Sequence, residues 1–217
     1  MRCDLFSHRR MEMAGLLTST LISFATPSVS AGQTADVGSK SVSDEDTTAI
    51  VSLLVKDRLA ANGEEPEGDY IVVVGETIAV CPPGVGGGDE EEFSTASMIE
   101  SAGHFPGVPD SMLQAMLCQQ EGGMLPSSRI PGATVVLQSE IDAIFSGDGW
   151  WEEFYKVFPA SRGLVQFTAP AFSADGRKAM VYVSHSCGGL CGTGWLVLLA
   201  RDAGGWRITD RQMLWIS

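Results

Sequence analysis

Positive charge is scarce in this chain. Only 14 Lys and Arg stand against 27 Asp and Glu, a formal charge of -13. That deficit excludes a phosphate-tracking nucleic-acid binder, which needs a clustered basic surface. Histidine occurs three times, as His8, His104 and His185, so a histidine-rich metal centre has little to draw on. The single asparagine, Asn62, precedes Gly-Glu, so no N-glycosylation acceptor exists. No apolar run approaches the roughly 20 residues that cross a bilayer as a helix. The Gly84–Gly88 run has no Gly-Lys-Ser/Thr after it, so it is no phosphate cradle, and Asp89–Glu92 lacks the alternating ligands of a calcium loop.

What is present describes a folded domain with a leader. Hydrophobic residues make up 44% and charged residues 19%, the reverse of a disordered chain's balance. Arg2, Arg9 and Arg10, the apolar run Met13–Ala25 and the small residues Val29-Ser30-Ala31 read as a secretory signal over 1–31. Residues 32–42 read as a flexible lead-in and 43–217 as a single domain. The expected location is periplasmic or secreted, with no membrane insertion after cleavage. The leader takes three arginines and two acids with it, so the mature chain is more acidic still.

Export gives the cysteines a meaning. Cys3 leaves with the leader, and Cys81, Cys118, Cys187 and Cys191 remain. An even number in an oxidising compartment implies two disulfides. Three pairings are open, and the favoured one is Cys187–Cys191 with Cys81–Cys118. Loop-closure entropy assigns about 2 kcal/mol to the short ring and about 4 kcal/mol to the long one.

The elements follow from period and punctuation. Ser43-Asp44-Glu45-Asp46 has capping-box spacing ahead of Ile50, Leu53 and Leu54, predicting a helix over 46–61 that Asn62-Gly63 ends. Residues 70–80 read as a strand, bent near Gly75, and 81–92 as a surface loop. A helix from Asp110 or Ser111 reaches Gly122. A strand over 134–137 precedes a helix that Ser139 caps and Phe145 ends. Asp148 caps an aromatic helix that Pro159 stops. Strands then follow over 164–172, 178–185, 194–200, 206–209 and 213–216. Short loops between them make an antiparallel meander, because parallel neighbours need long crossovers. The expected class is α+β, a meander sheet of about 5–6 strands with the N-terminal and central helices packed on one face.

Residues 150–217 also resemble a domain of unknown function that recurs in exported bacterial proteins. The motifs are W-x2-F-Y-x2-F-P-x-S-x-G, F-S-x-D-x3-A-x-V-Y-V, C-G-x-L-C-G-x-G, G-x-W-x-I and the terminal L-W-I-S. The resemblance implies one antiparallel domain and carries no activity.

The most chemical-looking segment is His185-Ser186-Cys187-Gly188-Gly189-Leu190-Cys191. His185, Cys187 and Cys191 are the candidate catalytic residues, with His185 a base for Ser184, Ser186 or a free thiol. Alternation along a strand puts Cys187 on the face of His185 and both serines on the other. A metal would need a fourth ligand that only His104 supplies, so no metal and no cofactor are expected. The Cys-x3-Cys spacing is not that of a low-pKa redox motif. Glu152-Glu153 beside Trp150-Trp151 suggests a sugar cleft, but adjacent glutamates diverge by about 100° on a helix. Trp151 and Tyr155 are the binding candidates, with helix-face packing as their simpler role. The function expected is a non-catalytic exported module for a protein or small ligand. The alternative is an envelope hydrolase or thiol-redox enzyme built around His185 and the Cys187–Cys191 loop.

Overall fold

A computed structural model describes residues 44–60, 68–79, 108–117, 123–126 and 129–217. The expected leader, the lead-in, the Asn62-Gly63 stop, His104, Cys81 and Cys118 lie outside the described residues. The described residues belong to a compact unit, Lys40–Ser217.

Helix α1 is Asp44–Ala60. Asp44, Glu45 and Asp46 occupy its first turn and Arg58 its last, each sign at the end of the helix dipole that favours it. Its buried stripe is Ile50, Val51, Leu54 and Val55. Strand β1, Tyr70–Val74, follows, then α2, Asp110–Leu117, and β2, Ala133–Val136. Two short helices come next, α3 at Gln138–Phe145 and α4 at Trp150–Val157. The remaining strands are β3 (Ser161–Phe167), β4 (Ala171–Phe172), β5 (Lys178–Gly188), β6 (Cys191–Asp202) and β7 (Gly205–Ile216).

The sheet has seven strands in the order β2-β1-β3-β5-β6-β7, with β4 paired to β5. From β3 onward it is the expected antiparallel meander. The other end is parallel, which corrects the expectation: β1 lies between β2 and β3 and runs with both, Ile71 opposite Ala133 and Val72 opposite Leu164. The physical reason is the connection. From β2 to β3 the chain travels through α3 and α4, the long crossover that a parallel arrangement requires.

The helices cover both faces rather than one, a second correction. Ile71, Val73, Val165, Phe167, Val181 and Leu199 form one apolar face with the α1 stripe. On the other face Val72, Val74 and Leu164 pack under α3 and α4 with Ile141 and Phe154. Further along that face Met180, Tyr182, Leu196 and Leu198 pack with Met112 and Met116 of α2. Strand β1 is buried on both sides, which explains the unbroken Ile-Val-Val-Val run.

Several boundaries move. The strand predicted to reach residue 80 stops at Val74, after which Glu76 makes only an isolated bridge to Met124. The predicted 164–172 strand is two pieces, β3 and β4. The predicted 206–209 and 213–216 strands are one, because β7 absorbs bulges against Gly194/Trp195 and Leu198/Leu199 and carries on. Helix α3 starts from Leu137, whose N–H donates to Glu140 Oε2 at 2.8 Å, so Ser139 lies inside the first turn rather than capping it. Gly149, not Asp148, precedes α4. Among the described residues no helix is long and apolar enough to cross a membrane.

Candidate functional site

The β5–β6 hairpin places the sulfur residues. Strand β5 ends with a bulge between Ser186 and Gly188, and Gly188 stands opposite Cys191. Cys187 and Cys191 are joined in a disulfide across this tip, with their Cα atoms 5.1 Å apart. Both sulfurs are therefore committed to a covalent bond that closes the hairpin, and neither is a thiolate. The tip beyond them carries Leu190, which is 91% exposed.

His185 lies beneath this tip, 2% exposed. Its Nε2 is 2.7 Å from the carbonyl oxygen of Arg162. A carbonyl only accepts, so Nε2 carries the hydrogen and donates it. The ring rests against Gly163, whose φ is +109°. A Cβ at 163 would overlap the Ser186 carbonyl oxygen and stand 3.0 Å from both His185 Nε2 and the Cys187 Cβ. Glycine at 163 is thus required twice, by backbone conformation and by the close approach of the imidazole. Thr193 stands opposite His185 on β6, and its hydroxyl is 3.5 Å from Arg58 at the end of α1. Arg162 in turn donates to the Leu59 carbonyl, so His185 lies where β3, β5 and the C-terminal turn of α1 meet.

The two binding candidates separate. Trp151 packs into an aromatic layer with Phe145 and Phe154, at centroid separations of 5.2 and 5.1 Å. Tyr155 touches the same layer but sends its hydroxyl to the carbonyl of Cys187, donating at 2.9 Å. Burial pushes its phenol above the ordinary tyrosine range, so it stays protonated and donating. The structure thereby joins the aromatic helix to the disulfide hairpin, a meeting the sequence does not announce. Glu152 and Glu153 stay in the first turn of α4, and Glu153 pairs with Lys156. Trp150 is 62% exposed and has a positive φ of 39°.

On the face under α3 and α4, one row of the sheet is polar. Gln166 on β3, Ser184 on β5 and Gly194 on β6 are register neighbours, and Ser186 with Gly192 makes the adjoining row. Trp215 of β7 is paired with Gly194. Its indole lies across both glycines, since a Cβ at 194 would overlap its nitrogen and one at 192 would come within 3.0 Å of its six-membered ring. The indole N–H donates to the Tyr182 hydroxyl at 2.8 Å. Trp215, Gln166 and Ser184 escaped prediction as a binding group, because only strand register brings them together. The signal in the sequence was the Gly-Thr-Gly alternation of 192–194, which leaves one face of β6 bare.

A separate open, apolar depression of about 400 Å³ lies on the opposite side, lined by Ser52, Leu53, Lys56, Leu59, Pro131 and Gly132. Its only polar side chains are the Ser52 hydroxyl and the Lys56 ammonium. Among the described residues no cluster of three or more His, Cys, Asp or Glu side chains is placed to hold a metal ion.

The chain matches no known family model, no curated protein and no solved structure.

Proposed function

We propose that this protein is an exported, disulfide-stabilised binding module without catalytic activity. One observation carries the reading: the Cys187 and Cys191 sulfurs beside His185 are bonded to each other. A nucleophilic enzyme built on this loop needs a free thiolate, which the bond removes. A redox enzyme would hold the same bond in its oxidised state, and against that alternative stands the Cys-x3-Cys spacing, which is not that of a low-pKa redox motif. His185 supports the same reading, since it is 2% exposed and out of reach of a substrate. The acidic chain, the leader-like residues 1–31 and the resemblance of residues 150–217 to exported bacterial proteins favour action outside the cytoplasm. The partner is a protein or a small ligand, held on the sheet or beside the aromatic helix.

The test is turnover. The exported protein is assayed with ester, peptide and glycoside substrates and for reduction of a model disulfide, in parallel with His185→Ala and Cys187→Ser. The module reading expects no turnover above buffer. Turnover that either substitution abolishes contradicts it and favours the envelope enzyme.

A further inference from the structure

The polar row beside the aromatic helix interrupts an otherwise apolar face. On one side of it lies the cluster under α2, with Met180, Tyr182 and Leu196, and on the other the cluster under α3 and α4, with Leu164 and Phe154. Between them the sheet presents Gln166, Ser184 and Ser186 over two glycines. Ser184 and Ser186 are half-buried, and neither hydroxyl has a hydrogen-bond partner among the described residues. A sheet row that a helix covers favours apolar side chains, so two serines and a glutamine here suit a polar neighbour.

The walls are aromatic and fixed. Trp215 lies against Gly192 and Gly194 with its nitrogen tied to Tyr182, which leaves the opposite ring face turned away from the sheet. Tyr155 stands at the other side, held by the Cys187 carbonyl that follows Ser186. Both rings are therefore positioned before any ligand arrives, which lowers the entropic cost of binding.

We propose that Ser184, Ser186 and Gln166, between the rings of Trp215 and Tyr155, form a binding site for a neutral, hydroxyl-rich ligand, a saccharide. This rests on the binding-module reading and names its ligand class. A sugar ring has an apolar C–H face for the indole and hydroxyls for the serines and the amide. An apolar ligand would strand those hydroxyls, at a cost. An anion finds no cation in the row and meets a chain of charge -13. Two carboxylates that flank Gln138 are occupied: Asp142 accepts from the Gln138 side chain at 2.8 Å and Glu76 from the Gln138 backbone at 2.8 Å. Gln138 also fixes the Gln166 amide, accepting from its Nε2 at 3.0 Å.

The experiment is calorimetric and fluorescence titration of the exported protein with maltohexaose and with chitohexaose, with analysis of the sugars afterwards. Saturable binding of at least one, with a change in tryptophan emission and no shortened product, is the expected result. Ser184→Ala and Ser186→Ala should each weaken binding about fivefold, the loss of one ordinary hydrogen bond. Trp215→Phe should weaken it about tenfold through the smaller platform, and if that variant does not fold, the serine pair decides. Lys56→Gln, on the opposite face, should leave binding unchanged. Binding of neither sugar by the folded protein overturns the ligand class, as does binding that the serine substitutions leave untouched. Shortened oligosaccharides that His185→Ala abolishes overturn the non-catalytic reading while leaving the ligand class standing.

Discussion

The hydroxyl of Tyr155 donates to the carbonyl of Cys187 at 2.9 Å, tying the aromatic helix to the hairpin that the disulfide closes. Helix and hairpin are separate in sequence, and this bond is a direct link between the sulfur tip and the wall of the polar row. Tyr155→Phe removes it with little change of shape. The expected loss is about 1 kcal/mol in denaturant unfolding, and more only if the Cys187 carbonyl finds no water.

The same tyrosine gives a pH dependence with a definite sign. Burial raises its folded-state pKa above the ordinary tyrosine value of about 10. The protonated form is therefore favoured by folding, and its contribution is complete below the unfolded pKa. It is lost as pH rises through the folded value. Unfolding followed above about pH 10 should steepen in the native chain more than in Tyr155→Phe. Identical alkaline profiles would show that the ring is not held as described.

Gly163→Ala tests the seat of His185. The alanine must adopt φ near +109° and push its Cβ into the Ser186 carbonyl. A loss of about 2–4 kcal/mol is expected, beyond the usual cost of a conformational mismatch, because β3 and β5 must part to admit it. Thermal unfolding measures this, and a shift within error would mean the backbone there relaxes freely.

Trp206→Ala tests the α1 face. The indole packs beside Phe172, with centroids 5.8 Å apart, and its N–H donates to Asp46 at 3.1 Å. Removing a largely packed indole should cost about 3 kcal/mol. The Arg201–Asp46 pair beside it is partly exposed and should contribute under about 1 kcal/mol, so Arg201→Ala should be the milder variant.

Much of the fold was legible because local chemistry decides it. The Ser173–Arg177 turn is a side-chain device, with Ser173 Oγ accepting from the Lys178 N–H at 2.9 Å and Gly176 at φ +65°. The Ala203-Gly204 turn works similarly, with Gly205 at φ +110°. Helix α1 announced itself through its acidic first turn and apolar stripe. The parallel end of the sheet was less legible, although Ile71–Val74 carried the mark of burial on both faces. A run of four apolar residues names no neighbour, and the partners of β1 are reached only through distant crossovers. The candidate site divided in the same way. The Cys187–Cys191 bridge was readable from a short spacing with glycines inside it. The placement of Trp215 over Gly192 and Gly194 depends on the register of three strands and on a bulge, which no local pattern encodes.

The proposed export makes scaffold of the cysteines, through oxidation outside the cytoplasm. The direct measurement is mass spectrometry of the intact exported protein, with thiols alkylated before and after reduction. The expected result is a chain beginning at Gly32 with no free thiol before reduction, four after it, and a native peptide linking Cys187 to Cys191. A chain beginning at Met1 and carrying five reduced thiols would contradict it.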